Sequence, residues 1–230
     1  RSKEALYVLT RVMQEYVAHA YVLDIVELEC SQIAERSIAQ LNAECKLRLG
    51  RMRSEKRKRQ FILARYLLSE CLFQLTNSYY SIGYFETGQP YIEDSDFHCS
   101  ISHSENFIAI AFSNEAPIGI DIEQHRFRDF YPIVTTYFHR QEIAIYQDLL
   151  KAEQMNWFYE NWTMKEAKAK ATGDGINQIN LGELCTTSSL MSHQTDEYSL
   201  ACIHHGVCAL ELFKARLLVA SPWLQARPIK

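Results

Sequence analysis

The sequence predicts an α+β fold, and three observations carry that prediction. Residues 97–123 read as sheet strands in quick succession, separated only by short polar turns. Two long stretches, roughly 31–76 and about 153–171, carry apolar residues at helical spacing. The tail then returns to β-like pieces at Ser199–Ile203 and Val207–Leu212.

Taken in order, residues 1–15 predict a helix, with Leu6, Leu9 and Met13 roughly on one face. Tyr16 to Leu28 is rich in Tyr, Val and Ile and predicts a strand. In the helical region that follows, Phe61, Leu63, Leu67, Leu68, Leu72 and Leu75 form a stripe to be buried. Gly83 and Thr87-Gly88-Gln89-Pro90 are turn punctuation. Phe97 to Ser102 and Phe107 to Phe112 are two strands, with His103-Ser104-Glu105-Asn106 as the turn between them. Asn114 to Pro117 turns the chain into a further strand. Arg126 to Phe138, with Pro132, reads as an irregular connection before a helical segment that starts at His139. The helix over about 153–171 stops at Gly173 and Gly175, residues that suit a helix C-terminus.

Composition narrows the classes. A chain of 230 residues can bury a substantial core as one large domain or two small ones. Its formal net charge of −4 gives no global reason to expect nucleic acid or a membrane surface. Seven cysteines form no Cys-x-x-Cys pair and sit among apolar residues, which fits a reduced, cytoplasmic protein. Arg11 and Glu15 interrupt any signal-peptide pattern, and no apolar run approaches the roughly 20 residues needed to span a bilayer. The chain begins at Arg1 rather than methionine, which leaves open what precedes it. Cys202-Ile203-His204-His205-Gly206-Val207-Cys208 suggests zinc by residue type but lacks the spacing of a zinc site.

Against this background one strand stands out: Pro117-Ile118-Gly119-Ile120-Asp121-Ile122-Glu123. With a side-chain period of two, the isoleucines share one face and Asp121 and Glu123 share the other. Their Cα atoms are then about 6.5–7 Å apart, from a rise of about 3.3 Å per residue. Two carboxylates that close in a core are costly unless neutralised, and a hard divalent cation such as Mg²⁺ does this with oxygen ligands. The plain alternative is an edge strand with its acids in water. A second stretch, Trp162-Thr163-Met164-Lys165-Glu166-Ala167-Lys168-Ala169-Lys170, adds a third carboxylate at Glu166 and an amine one turn later. Phe158, Trp162, Glu166 and Lys170 follow at four-residue steps, as if a packed shoulder passed into a polar site. Residues 46–65 add nine basic side chains with Glu55 the sole acid among them, a patch for phosphates or an acidic partner, or simply a solvated helix face.

These residues also carry a resemblance. Gly119-Ile120-Asp121-Ile122-Glu123, followed some forty residues later by Trp162-Thr163-Met164-Lys165-Glu166-Ala167 and Lys170, resembles the two signature motifs of the 4′-phosphopantetheinyl transferases. Ser102-His103-Ser104 and Gly88-Gln89-Pro90 match two further elements, so the resemblance runs from about residue 45 to about 180. Length and connecting segments are similar to the larger type, which modifies carrier domains of peptide, polyketide and fatty-acid synthases.

The resemblance implies two similar α+β halves related by a pseudo-twofold, divided here at residues 1–117 and 118–230. It implies Mg²⁺-dependent transfer of 4′-phosphopantetheine from coenzyme A to a carrier-protein serine, releasing adenosine 3′,5′-bisphosphate, with Mn²⁺ as a possible substitute metal. Asp121, Glu123 and Glu166 would hold the metal. Glu166 would also be the base or its relay, and Lys170 would bind a phosphate oxygen. His103, with Ser102, would contact the 3′-phosphate end of coenzyme A. Arg59 and Arg65 are further candidates for that substrate, with Arg57 an alternative. Gln89 stands where the family often has lysine. The expected protein is a cytoplasmic monomer whose partners are coenzyme A and a carrier domain, with neither nucleic acid nor membrane. A non-catalytic coenzyme A or nucleotide-binding module is the alternative, and a metal-dependent nuclease using the basic helix is a third reading. Retention of Glu166 and Lys170 beside both strand acids argues against the module. The net charge argues against the nuclease.

Overall fold

The computed structural model describes residues 17–25, 38, 41–173, 189–206, 209–217 and 224–229. The helix expected over 1–15 lies outside them, as do the first residues of the helical region and the Val207–Cys208 pair. The described residues form helices and sheets in an α+β arrangement, as the sequence predicts.

The first strand, β1 (Ala18–Asp24), is central in a five-stranded sheet. It runs antiparallel to β5 (Phe107–Ser113) and parallel to β9 (Leu210–Leu217). The edges are β4 (His98–Ser104), paired with β5, and β10 (Leu224–Pro228), paired with β9. Strands from the end of the chain therefore complete the sheet that β1 opens. A second, antiparallel sheet has the order β6 (Ile118–Gln124), β8 (Tyr198–His204), β7 (Ser189–Gln194). A short pair, β2 (Ile82–Tyr84) and β3 (Pro90–Ile92), stands apart from both.

Helix α1 (Ala43–Arg51) is capped by Asn42, whose side chain accepts from the Cys45 amide. Helix α2 (Glu55–Thr76) starts at Ser54 and ends in the left-handed Asn77. Its stripe of Leu63, Leu67, Leu68 and Leu72 packs on Tyr21, Leu23, Ile108, Ile110 and Phe112 of the large sheet. The other face of that sheet presents Ala18, Ala20, Ala109 and Ala111, small enough for the second sheet to approach with Ile118, Ile120, Ile122, Leu200 and Cys202. Both faces of β5 are thus covered, which is why its sequence is an unbroken apolar run.

Three helices follow β6: α3 (Tyr131–Tyr137), α4 (Arg140–Asp148) and α5 (Lys151–Thr172). Helix α3 replaces the irregular connection expected over 126–138. Pro132 lies in its first turn, where a missing N–H leaves no bond unmade. Helix α5 lies on the outer face of the second sheet, joining Ala167 and Ala171 to Ala201 and Ile203. It crosses β6 at Gly119, where an added Cβ would fall 2.0 Å from the Ala167 carbonyl oxygen and 2.5 Å from the Ala171 nitrogen. Only glycine permits that approach, and the approach sets Glu166 and Lys170 beside Asp121. Gly173, at φ 78°, ends the helix. Among the described residues no helix is long and apolar enough to cross a membrane.

Candidate active site

The alternation read from β6 is present in space. Ile118, Ile120 and Ile122 point into the core between the sheets, while Gly119 faces α5 and Asp121 faces Lys170 of that helix. Asp121 is only 3 % exposed. Lys170 Nζ lies 2.8 Å from Asp121 Oδ1 and also donates to the Ile120 carbonyl at 3.2 Å. Ser102 Oγ donates to the same Oδ1 at 2.7 Å. Asp121 Oδ2 is buried and has no hydrogen-bond partner.

Glu123, two residues on, accepts from Ser104 Oγ at 2.8 Å. Burial first, and the Asp121 charge second, push the Glu123 carboxyl up to about 7; Ser104, Arg128 and Lys170 oppose them. Glu166 is raised by the same two causes in the same order, with Lys170 again opposing. The Asp121 charge thus acts on both other acids through a poorly solvated space, and Lys170 opposes it at each of them. Lys170 pairs with Asp121 across the helix–strand contact.

His103 lies within β4, with the hairpin tip two residues later at Glu105-Asn106; Glu105 takes the left-handed conformation at φ 51°. The sequence places His103 in the turn because three polar residues follow it, but the turn is tighter than that. Burial lowers the His103 pKa, and the positive charges of Lys170, Arg65 and Arg57 lower it further. The field around this imidazole is positive, which suits an anion.

The two candidate arginines differ from the acids in setting. Arg59 Nη2 donates to the Ile25 carbonyl at 2.6 Å. Arg65 is buried, donates to the Tyr84 hydroxyl and to the Phe61 carbonyl at 2.9 Å, and lies over the Phe61 ring. Its fork is engaged within the fold, although its charge reaches His103.

A cleft of about 760 Å³ begins at Lys170 and runs along Gly88, Gln89, Pro90, His98 and Ser100. The strand acids are not among its lining residues, so Lys170 is where cleft and carboxylates meet. Gln89 Nε2 donates to the Lys170 carbonyl at 3.0 Å, tying this turn to the end of α5. Ser104 stood out only within a motif, and Arg128 not at all, although both are neighbours of Glu123. The alternation Ser100, Ser102, Ser104 along one strand face was the available signal. By contrast, His204 of the zinc-like segment is buried with Ser113 Oγ 2.9 Å away, and Cys202 belongs to the core.

Among the described residues no three His, Cys, Asp or Glu side chains are gathered into a ready metal cage. Mg²⁺ does not require one, because it keeps several waters and takes one or two carboxylates plus substrate phosphates. The unpartnered Asp121 Oδ2 and an all-oxygen donor set fit such an ion.

Residues 117–214 match the family model of the 4′-phosphopantetheinyl transferase superfamily. Over those residues the chain is similar to that superfamily. Among its relatives, 4′-phosphopantetheinyl transferase gsp of Aneurinibacillus migulanus is 40% identical over 91 residues, 40% of this chain and 37% of the relative. The transferase Sfp of Bacillus subtilis is 38% identical over 120 residues, 50% of this chain and 51% of the relative. The transferase HetI of a Nostoc species is 27% identical over 187 residues, 78% of this chain and 77% of the relative. The match thus spans about half of Sfp's length and less of gsp's.

Proposed function

We propose that this chain is a 4′-phosphopantetheinyl transferase, moving phosphopantetheine from coenzyme A to a serine of an acyl or peptidyl carrier domain. The observation that carries the reading is the shared burden of Asp121, Glu123 and Glu166, with Lys170 on Asp121 Oδ1 and Oδ2 unpartnered. That arrangement suits a pyrophosphate carried with a divalent cation.

Asp121 and Glu123, with Glu166, are the residues that would hold Mg²⁺ or Mn²⁺. When bound, such a cation neutralises charge on the pyrophosphate and polarises the phosphorus under attack. Lys170, at the junction of acids and cleft, binds a phosphate oxygen. Glu166 takes the proton from the carrier serine or relays it. The serine oxygen then bonds to the phosphorus that bears the pantetheine arm. The bond from that phosphorus to the bridging oxygen breaks, and its electron pair leaves on adenosine 3′,5′-bisphosphate. His103, in its positive field, receives the 3′-phosphate, with Arg65 contributing charge from within the fold and Arg59 a further contact. The cleft is lined from both sides of residue 117, by Gln89 and Pro90 and by Ile118 and Lys170. A division into halves 1–117 and 118–230, with the site at their junction, belongs to the proposal, with β9 and β10 of the second half returning to the sheet of β1, β4 and β5. A cytoplasmic location and a monomeric state complete the proposal.

The test is incubation with coenzyme A, Mg²⁺ and a carrier domain, read by mass spectrometry. The reading predicts that the carrier gains the mass of one phosphopantetheine group. Carriers from several synthase classes that all stay unmodified, with chelator making no difference, would overturn it.

A further inference from the structure

We propose that Ser102 and Ser104 are positioning residues that decide which oxygen of each β6 carboxylate is left for a divalent cation. The inference rests on the metal-dependent reading of this site.

Strands β4 and β6 belong to different sheets yet lie against each other, edge to edge. Exposed edges leave backbone N–H groups without ladder partners, and these must be satisfied some other way. Here serine hydroxyls do it. Ser100, Ser102 and Ser104 alternate along β4, so all three project to one side. Ser100 Oγ accepts from the Ile120 amide at 3.1 Å, and Ser104 Oγ accepts from the Gln124 amide at 3.0 Å.

A serine hydroxyl has one proton to give. With its lone pairs turned to the Gln124 amide, Ser104 directs that proton at Glu123 Oε2, 2.8 Å away. Ser102 gives its proton to Asp121 Oδ1 at 2.7 Å, where Lys170 Nζ also arrives at 2.8 Å. Oδ1 is thereby saturated, whereas Oδ2 is buried with no partner. In each acid the seam engages one oxygen and leaves the other. Oxygen-selective hydrogen bonding of this kind fixes a carboxylate's rotation before a metal arrives, and removing such support typically weakens metal affinity by roughly 10–100-fold. Ser100 bonds only backbone and touches neither carboxylate, so it supplies an internal comparison.

The probe is Mn²⁺, whose binding to the purified protein is followed by electron paramagnetic resonance with and without coenzyme A. Ser104→Ala and Ser102→Ala should each weaken Mn²⁺ binding roughly 10–100-fold. Ser104→Thr, which keeps the hydroxyl, should restore most of it. Ser100→Ala should lower the melting temperature and leave the Mn²⁺ affinity measured without coenzyme A unchanged. Should Ser104→Ala fail to fold, Ser104→Cys against Ser104→Thr gives the same comparison, and equal Mn²⁺ affinity in those two overturns the proposal. Wild-type affinity in folded Ser104→Ala overturns it as well. If wild type itself binds no Mn²⁺, the metal-dependent reading falls and this inference with it. A metal-binding wild type with indifferent serine variants removes the inference alone.

Discussion

Lys170 Nζ stands 2.8 Å from Oδ1 of Asp121, so an ammonium from α5 neutralises the carboxylate of β6 that has the least solvent. The contact joins the two signature stretches of the sequence, and it has consequences for stability as well as for chemistry. Breaking a fully buried pair costs about 3–5 kcal/mol, because one charge is left stranded. The Lys170 side chain is 29% exposed, so solvent screening reduces that figure. Lys170→Met should destabilise the metal-free protein by about 1–3 kcal/mol. Added Mg²⁺ should recover more stability in the variant than in wild type. Thermal melts of both proteins with Mg²⁺ and with chelator check this, and an equal Mg²⁺ effect in the two would remove the electrostatic coupling.

The raised Glu123 pKa gives a pH dependence with a definite sign. The folded state holds this proton up to about 7, whereas the unfolded chain releases it near the ordinary glutamate value of 4.5. The contribution of Glu123 is therefore full below 4.5 and is lost as pH rises through 7. Metal-free protein should be more stable at mildly acid pH than above 7, and Glu123→Gln should flatten that slope. Stabilisation by Mg²⁺ should grow over the same window, since a protonated carboxyl is a poor ligand. Calorimetric melts across the range, with and without Mg²⁺, are the measurement. A slope of the opposite sign in wild type that Glu123→Gln leaves untouched would contradict it.

Two glycines should respond in opposite ways to the same substitution. Gly119→Ala places a methyl group 2.0 Å from the Ala167 carbonyl oxygen, a backbone atom that cannot swing aside. Pushing α5 off β6 should cost about 1–3 kcal/mol and displace Lys170 from Asp121. Gly50→Ala, in α1, meets nothing within 4 Å and should be neutral or stabilising by up to about 1 kcal/mol. Melting temperatures, with transfer assayed beside them, separate the two.

The site's acids and Lys170 were legible in the sequence because two simple periods place them: two residues along β6 and about four along α5. The strand β5 was legible from its apolar run, though not that both of its faces are covered. What escaped is what periodicity does not encode. Ser100, Ser102 and Ser104 were legible as strand and turn residues, but not that they lie against the edge of another sheet. Helix α3 was hidden by Pro132, which reads as a break and is in fact a start. Arg65, read as a candidate for coenzyme A and as part of the basic patch, follows Phe61 by four residues, and a long side chain at that step folds back onto the ring and the Tyr84 hydroxyl.

The basic stretch should act on association with the carrier. Arg51 and Arg53 are exposed, and carrier domains usually present acidic surface. Charge reversal at both should raise the KM for the carrier with little change in kcat, and high salt should shrink the difference. Steady-state kinetics at two ionic strengths decide this. Indifference to both changes would assign the patch to a solvated face.

Glu166 tests the central claim most directly, because a transferase needs it for the proton and a binding module does not. Glu166→Gln keeps the shape and loses the base. Loss of a general base lowers a rate by roughly 10²–10⁴-fold, about 3–5.5 kcal/mol of barrier. The measurement is paired: calorimetric binding of coenzyme A, and single-turnover transfer to a carrier domain, on wild type and Glu166→Gln. The account predicts transfer by wild type, a fall of that size in the variant, and a far smaller change in coenzyme A affinity. Wild type that binds coenzyme A and transfers to none of several carriers, or a variant that transfers at the wild-type rate, would contradict it.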